Sequence, residues 1–148
     1  MNLVEFDQEL FAASCEKLKE FGYPLDDPVT MNAAEPYVKL GSIITTGMYP
    51  NVTDQASRVF MTAYTSVAMI IDDTFADKPG PINEFNYRFV RGLPQECSAL
   101  ETFARFLRSF REHWNPVMAD MLLQSSMTFI TSIALENGMK DAKVSFGR

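Results

Sequence analysis

The sequence predicts an all-α protein, and three observations support this fold class. Glycine and proline are scarce, with seven and eight among 148 residues, which is unlike a turn-rich β-sandwich. Nine methionines and twelve phenylalanines suit packed helices with adaptable apolar surfaces. Apolar residues also recur at helical spacing in the segments between the proline and glycine breaks.

Two helices are predicted in the first fifty residues. The first covers about 3–21 and stops where Gly22 and Pro24 introduce a turn. The second begins near Pro36, because proline is tolerated in the first turn of a helix, and ends before Pro50.

The third helix has the strongest periodicity in the chain. Asn51 can cap its first turn, with Asp54 three residues further on. Apolar side chains then recur with helical spacing for more than four turns, at positions 56, 59, 60, 63, 64, 67, 68 and 71.

The second half of the chain predicts three more helical segments. A short one runs from Asn83 to about 90, and Ser98 with Glu101 forms a capping box for the next. Asn115 and Pro116 are typical of the N-cap and first residue of the last helix. After position 136 the apolar pattern is lost, so we expect a disordered polar tail over 137–148.

Charge and hydropathy exclude several classes of function. The net charge is −6, which argues against nucleic-acid binding, and residues 1–74 alone carry −7. The longest uninterrupted apolar run has five residues, far fewer than the roughly 20 that cross a bilayer, so no membrane span is expected. Acidic residues near the N-terminus do not resemble a signal peptide, which predicts a cytoplasmic protein.

The cysteine and histidine content excludes further chemistry. Cys15 and Cys97 are too few and too far apart for a disulfide framework or a Cys-x-x-Cys metal site. The single histidine, His113, has no serine or cysteine partner pattern around it.

Adjacent acids at the end of the third helix are the best candidates for a functional site. Asp72 follows positions 60, 64 and 68 in steps of four, so we expect at least one carboxylate of Asp72 and Asp73 to point towards the interior. Negative charge is disfavoured at a helix C-terminus, and a bound cation would compensate it. If the helix continues to Asp77, a third carboxylate joins them, and Mg²⁺ with phosphate oxygens would suit this cluster.

Two other interpretations of the acids are open. Two adjacent acids before a Pro-Gly loop are commonly a solvated helix end with no ligand. A buried strand that ends in a nucleophilic aspartate, as in haloacid-dehalogenase-like phosphatases, is a weaker alternative. Those enzymes place their acids two residues apart, and the helical period upstream argues against a strand.

Three stretches of the chain resemble a known family. They are TTGMYPNVTDQASRVFMTAYTSVAMIIDDTFAD, then GLPQE, then FREHWNPVMADMLLQSSMTFITSIALE. Over about 36–136 the sequence is similar to the N-terminal half of fungal class I terpene cyclases of the trichodiene synthase type. The resemblance implies that 1–148 is the N-terminal portion of a class I terpenoid synthase helical fold. It also implies a lyase that uses Mg²⁺ to cyclise farnesyl diphosphate or a similar prenyl diphosphate to a sesquiterpene.

The same resemblance assigns roles to the acids. It implies that Asp72 is the leading metal ligand and that Asp73 supports it. The family places a further acid four residues after the first, where this chain has Ala76, so the displaced Asp77 matches the pattern less well. The family's second metal motif and its diphosphate-sensing arginines are not found in these 148 residues. We therefore expect little or no cyclase activity from this polypeptide alone.

The alternative from a different functional class is a non-catalytic helical interaction module. In that case exposed apolar helix faces form an interface, and the acids are a solvated helix end. A homodimer is compatible with either interpretation.

Overall fold

The computed structural model describes residues 6–78 and 80–146, with side chains described as far as 140. Over these residues the backbone forms α-helices and short 3₁₀-helices and no strand, which confirms the all-α prediction. The α-helices are α1 (Gln8–Glu20), α2 (Pro28–Met48), α3 (Gln55–Thr74), α4 (Phe85–Arg91), α5 (Ser98–Arg108) and α6 (Pro116–Phe146). The 3₁₀-helices are Pro81–Glu84 and Phe110–Glu112.

The chain divides into two compact units, Met1–Ile70 and Ile71–Arg148, and α3 crosses from the first to the second. The first unit contains α1, α2 and most of α3. Its fully buried side chains come from all three helices, because each turns an apolar stripe inwards. They include Leu10, Leu18, Val38, Phe60 and Val67.

Helix α2 begins two turns earlier than the sequence predicted. Asp27 is the N-cap, and its carboxylate accepts hydrogen bonds from the Thr30 backbone N–H at 3.1 Å and from the Thr30 hydroxyl at 2.8 Å. Pro36, predicted to start the helix, lies inside it. Pro36 and Asn32 are both exposed, so water can bond the Asn32 carbonyl that proline leaves without an N–H partner.

Small residues bring α2 and α3 together within the first unit. A Cβ atom added to Gly41 would lie 2.5 Å from the Ser66 hydroxyl oxygen and 3.0 Å from the Thr62 carbonyl oxygen. Thr62 donates its hydroxyl to the Thr45 hydroxyl at 2.9 Å, and Ser66 donates to the Thr62 carbonyl at 2.7 Å. These hydroxyls are buried but hydrogen-bonded, so close helix packing does not leave them unsatisfied.

The two cysteines are predicted to differ in reactivity. Burial is the main cause that raises the pKa of Cys15 from 9.0 to about 11, whereas Cys97 is half-buried. Since the thiolate is the reactive form, we expect a thiol reagent at pH 8 to label Cys97 at least about tenfold faster than Cys15. Mass spectrometry after timed labelling measures both rates, and labelling in urea is the control, where the rates should converge. Equal rates in the native protein would contradict this prediction.

The second unit has a core of phenylalanines between α4, α5 and α6. The Phe85 and Phe103 rings are both fully buried, and their centroids lie 5.7 Å apart. The Asn86 side-chain amide in α4 donates to the Met127 carbonyl at 3.1 Å and to the Thr131 hydroxyl at 2.9 Å, both in α6. Apolar packing and these two hydrogen bonds therefore join α4 to α6.

Two predicted helix caps are corrected by the structure. Helix α3 is capped by Asp54, which accepts from the Ser57 backbone N–H at 3.1 Å and its hydroxyl at 2.7 Å, so Asn51 is not the cap. The capping box of α5 is also wrong, because its N-cap residue is Cys97 and makes no side-chain cap. The Glu101 carboxylate instead accepts from the backbone N–H of Gln95 at 2.8 Å, which holds the loop before the helix.

Helix α6 starts as predicted and extends further than predicted. Asn115 caps it by accepting from the Met118 backbone N–H at 2.9 Å. The disordered tail expected over 137–148 is helical as far as Phe146, and residues 147–148 lie outside the described residues. The polar sequence there is weakly amphipathic, but Asn137 and Lys140 make tertiary contacts that support the helix.

One stretch of the described chain, Pro116–Lys140 within α6, has the length and apolar composition of a membrane-crossing helix. Length and composition are weak evidence for a membrane span, because core helices of soluble proteins share them. Little of this stretch is buried. The absence of a membrane span stays a prediction.

Candidate functional site

The adjacent acids lie in the last turn of α3, inside the second unit. Asp72 and Asp73 are both exposed, whereas their neighbours Ile71 and Phe75 are buried. The prediction that one of the two carboxylates points to the interior is therefore wrong. Asp72 has no hydrogen-bond or ion-pair partner among the described side chains.

The error comes from the helical period. Steps of four residues advance by about 400°, so a stripe built from them drifts by roughly 40° per step. From Phe60 to Asp72 the drift is about 120°, whereas Phe60 and Ile71 differ by only about 20°. The buried face of α3 follows the true period of 3.6 residues and reaches Ile71, so Asp72 lies to the solvent side of it.

Asp77 lies beyond the end of α3 and pairs with a lysine of α6. The helix ends at Thr74, and the Asp77 carboxylate accepts from the Lys140 ammonium of α6 at 2.9 Å. Lys140 also donates to the Ala76 carbonyl at 2.8 Å. Asp77 is thus an exposed ion-pair residue, while Asp72 and Asp73 form an adjacent pair of carboxylates.

The electrostatics at the end of α3 favour a cation. The carbonyls of the last turn carry partial negative charge, and Asp72 and Asp73 add two formal negative charges. The last turn of α3 contains no basic residue. A cation bound at this end would therefore be stabilised by the pair and by the helix.

The donor set fits Mg²⁺ in its chemistry. Mg²⁺ is a hard cation that proteins bind through one or two carboxylates, its other positions being taken by water and substrate phosphate oxygens. Within the described residues, no group of three or more acidic, histidine or cysteine side chains is close enough to hold a metal alone. Asp72 and Asp73 can thus hold the ion only together with water or ligand oxygens.

The aromatic rings of Phe60 and Phe75 belong to the cores of their own units. Phe60 is buried and meets Phe21 edge to face at 6.4 Å, and Phe75 is also buried. Neither ring is exposed beside the carboxylates.

Asn137 and Lys140 were missed from the sequence because they were placed in the predicted tail. Asn137 is buried, and its side-chain amide donates to the Phe75 carbonyl at 2.9 Å. The signal was present, since Asn137 follows the buried residues Ile130 and Ile133 at spacings of seven and four on the same face of α6.

Comparisons with known proteins find similarity to fungal terpene synthases. The alpha-cuprenene synthase of Coprinopsis cinerea is 28% identical over 143 residues, which are 97% of this chain and 44% of that protein. The terpene synthase BipA of Cochliobolus sativus is 28% identical over 74% of this chain and 33% of its own length. The longiborneol synthase of Gibberella zeae is 33% identical over 57% of this chain and 26% of its own length.

The chain therefore spans less than half the length of these curated relatives. No protein-family model matches the chain. No solved structure matches it either.

Proposed function

We propose that this chain is the N-terminal part of a Mg²⁺-dependent terpene cyclase and that it binds the diphosphate of farnesyl diphosphate or a similar prenyl diphosphate. The observation that carries the proposal is the similarity to an alpha-cuprenene synthase along 97% of the chain. The adjacent exposed carboxylates of Asp72 and Asp73 at the end of α3 supply the ligand chemistry. The trichodiene synthase type is part of this proposal.

In the proposed mechanism the carboxylates of Asp72 and Asp73 would hold the cation at the end of α3, where the diphosphate would bind. Asp72 is the leading ligand, and Asp73 supports it from the adjacent position at the same helix end. When bound, Mg²⁺ neutralises the diphosphate and stabilises it as the leaving group. The exposure of both acids leaves room for water and phosphate oxygens in the remaining coordination positions.

Titration calorimetry of the 148-residue chain with Mg²⁺ in the presence of inorganic pyrophosphate tests this proposal. We expect binding that requires both components, because two carboxylates leave most metal positions for the pyrophosphate oxygens. Mg²⁺ titrated without the chain into pyrophosphate is the blank. Heats no larger than this blank would contradict the proposal.

The 148-residue chain alone is expected to make no detectable cyclised terpene. An allylic cation has to be shielded from water while it cyclises, whereas Asp72 and Asp73 lie exposed. The test is incubation with farnesyl diphosphate and Mg²⁺ followed by gas chromatography, with full-length alpha-cuprenene synthase as the positive control. A cyclised product formed at a rate similar to that control would overturn this prediction.

The apolar surface of α6 favours a second candidate, a helical interaction module. Met121, Leu135 and Met139 are each more than half exposed. Large exposed apolar residues on one helix are typical of interaction surfaces. The same calorimetry separates the two functions, since an interaction module has no pyrophosphate-dependent Mg²⁺ binding. Sedimentation of the chain at increasing concentration tests whether a homodimer forms.

A further inference from the structure

Two side chains of α6 contact the residues that directly follow α3. Asn137 donates its side-chain amide to the Phe75 carbonyl at 2.9 Å. Lys140 donates its ammonium to the Ala76 carbonyl at 2.8 Å and to the Asp77 carboxylate at 2.9 Å. Asn137 and Lys140 lie one turn apart on α6, and we call this pair the α6 clasp.

The clasp bonds two carbonyls in the turn that follows α3. The Phe75 carbonyl also accepts from the Lys78 backbone N–H at 3.4 Å, so the Lys78 amide reports on this turn. α3 ends at Thr74, and Phe75 still donates its backbone N–H to the Ile71 carbonyl at 3.0 Å. The α6 clasp therefore holds the turn after α3 at Phe75 and Ala76, two and three residues beyond Asp73.

The bond to the Phe75 carbonyl is the one side-chain hydrogen bond of Asn137 among the described atoms. Its side chain is 3% exposed, and its carbonyl oxygen Oδ1 has no hydrogen-bond partner among the described atoms. A buried polar atom without a partner is destabilising, so packing alone favours an apolar residue there. Ile130 and Ile133 occupy the same face of α6. The donor to the Phe75 carbonyl is what distinguishes asparagine from such a residue.

Lys140 has a different effect on the three acids. Its ammonium lies 2.9 Å from the Asp77 carboxylate, so Asp77 pairs with α6. Asp72 has no such partner among the described side chains and is left to bind a cation.

We propose that Asn137 and Lys140 are positioning residues for the cation and diphosphate site. They hold the end of α3 so that Asp72 and Asp73 are presented in one arrangement, and Lys140 keeps Asp77 out of the ligand set. This inference rests on the proposed function, since it assigns a role towards the same carboxylates.

Hydrogen exchange and Mn²⁺ binding test the clasp together. Asn137→Leu removes the donor without changing charge. Lys140→Met combined with Asp77→Asn removes one charge of each sign, so the net charge of the site is unchanged. In both variants we expect exchange at the Phe75 and Lys78 amides to accelerate about tenfold, the effect of losing one buried hydrogen bond. Mn²⁺ affinity in the presence of pyrophosphate should fall about tenfold, as for other residues that orient metal ligands.

A conservative variant and a matched control complete the experiment. Lys140→Arg keeps the charge and the donors, so it should retain both protection and affinity. The control is Lys39→Met with Glu35→Gln, which removes an exposed ion pair of 3.1 Å from α2 in the other unit. It should change neither readout.

Each outcome decides between the alternatives. Unchanged exchange at Phe75 and Lys78 overturns the clasp. Faster exchange with unchanged Mn²⁺ affinity overturns the positioning role and leaves only a helix cap. If the unaltered chain binds no Mn²⁺ with pyrophosphate, the proposed function fails and the positioning role fails with it, whatever the exchange shows. Faster local exchange together with weaker Mn²⁺ binding supports the proposal.

Discussion

Replacing Asp72 with asparagine is expected to abolish pyrophosphate-dependent Mg²⁺ binding by this chain. Asparagine is nearly the same size but loses the charge that a hard cation requires. Altering a partner that only orients a ligand costs 10–100-fold in affinity, so loss of the leading ligand should cost on the order of 100-fold or more. Asp73→Asn should cost less, about tenfold, if Asp73 supports the site from the outer shell. Calorimetry with Mg²⁺ and pyrophosphate measures both variants.

The stability of the Asp72 variant separates lost binding from lost folding. Removing a negative charge from the C-terminal turn of α3 should stabilise the helix by about 0.3–1 kcal/mol, because the helix dipole disfavours that charge. We therefore expect the melting temperature to stay the same or rise slightly while binding is lost. Asp26→Asn removes an exposed carboxylate 3.1 Å from the Lys19 ammonium in the first unit and should leave binding unchanged. Equal binding by the Asp72 variant and the unaltered chain would exclude Asp72 as a ligand.

Substitution of Gly41 by alanine is expected to destabilise the protein by about 1–3 kcal/mol, although alanine is the better helix former. The added Cβ would lie 2.5 Å from the Ser66 hydroxyl oxygen, which can rotate only by breaking its bond to the Thr62 carbonyl. It would also lie 3.0 Å from that backbone carbonyl, which cannot move without shifting α3. For a chain of this size the melting temperature should fall by about 2–4 °C per kcal/mol.

Gly138 provides a matched control for this substitution. It is an exposed glycine in α6, and a Cβ added there meets nothing within 4 Å. Gly138→Ala should therefore stabilise the chain by up to about 1 kcal/mol through helix propensity alone. Thermal unfolding followed by circular dichroism compares the two variants. Similar shifts of the same sign would show that Gly41 is not a close contact between α2 and α3.

The well-predicted parts of this protein depend on local chemistry. The apolar periodicity upstream of Asp72 predicted α3, and the structure confirms a helix over Gln55–Thr74. The predicted cap at Asn115 is also confirmed. An asparagine side chain can accept from a free N–H of the first turn, and the proline that follows is favoured at the first helical position, so neither needs a distant contact. The acids were placed correctly at the end of α3, but their direction was not. The Asp72 side chain faces solvent because the α-helix repeats every 3.6 residues, whereas the prediction extended a stripe in steps of four.

The parts that failed depend on residues far apart in the sequence. The second half of α6 lacks a clear apolar pattern, and its helix is supported by bonds from Asn137 and Lys140 to residues more than sixty positions earlier. Pro36 was predicted to start α2 because proline is tolerated in the first turn, but it lies inside the helix, where a proline costs about 3 kcal/mol. The Asp27 cap and the buried face that includes Ala34 and Val38 outweigh that cost.

The sequence by itself determined the helical class, the helix that forms α3 and the placement of two adjacent carboxylates at its end, because these follow from periodicity and side-chain chemistry within a few turns. Only the tertiary structure decided that Asp77 is bound by Lys140 and that α6 closes over the end of α3. Such contacts arise when packing brings distant segments together, and no spacing within either segment specifies the partner.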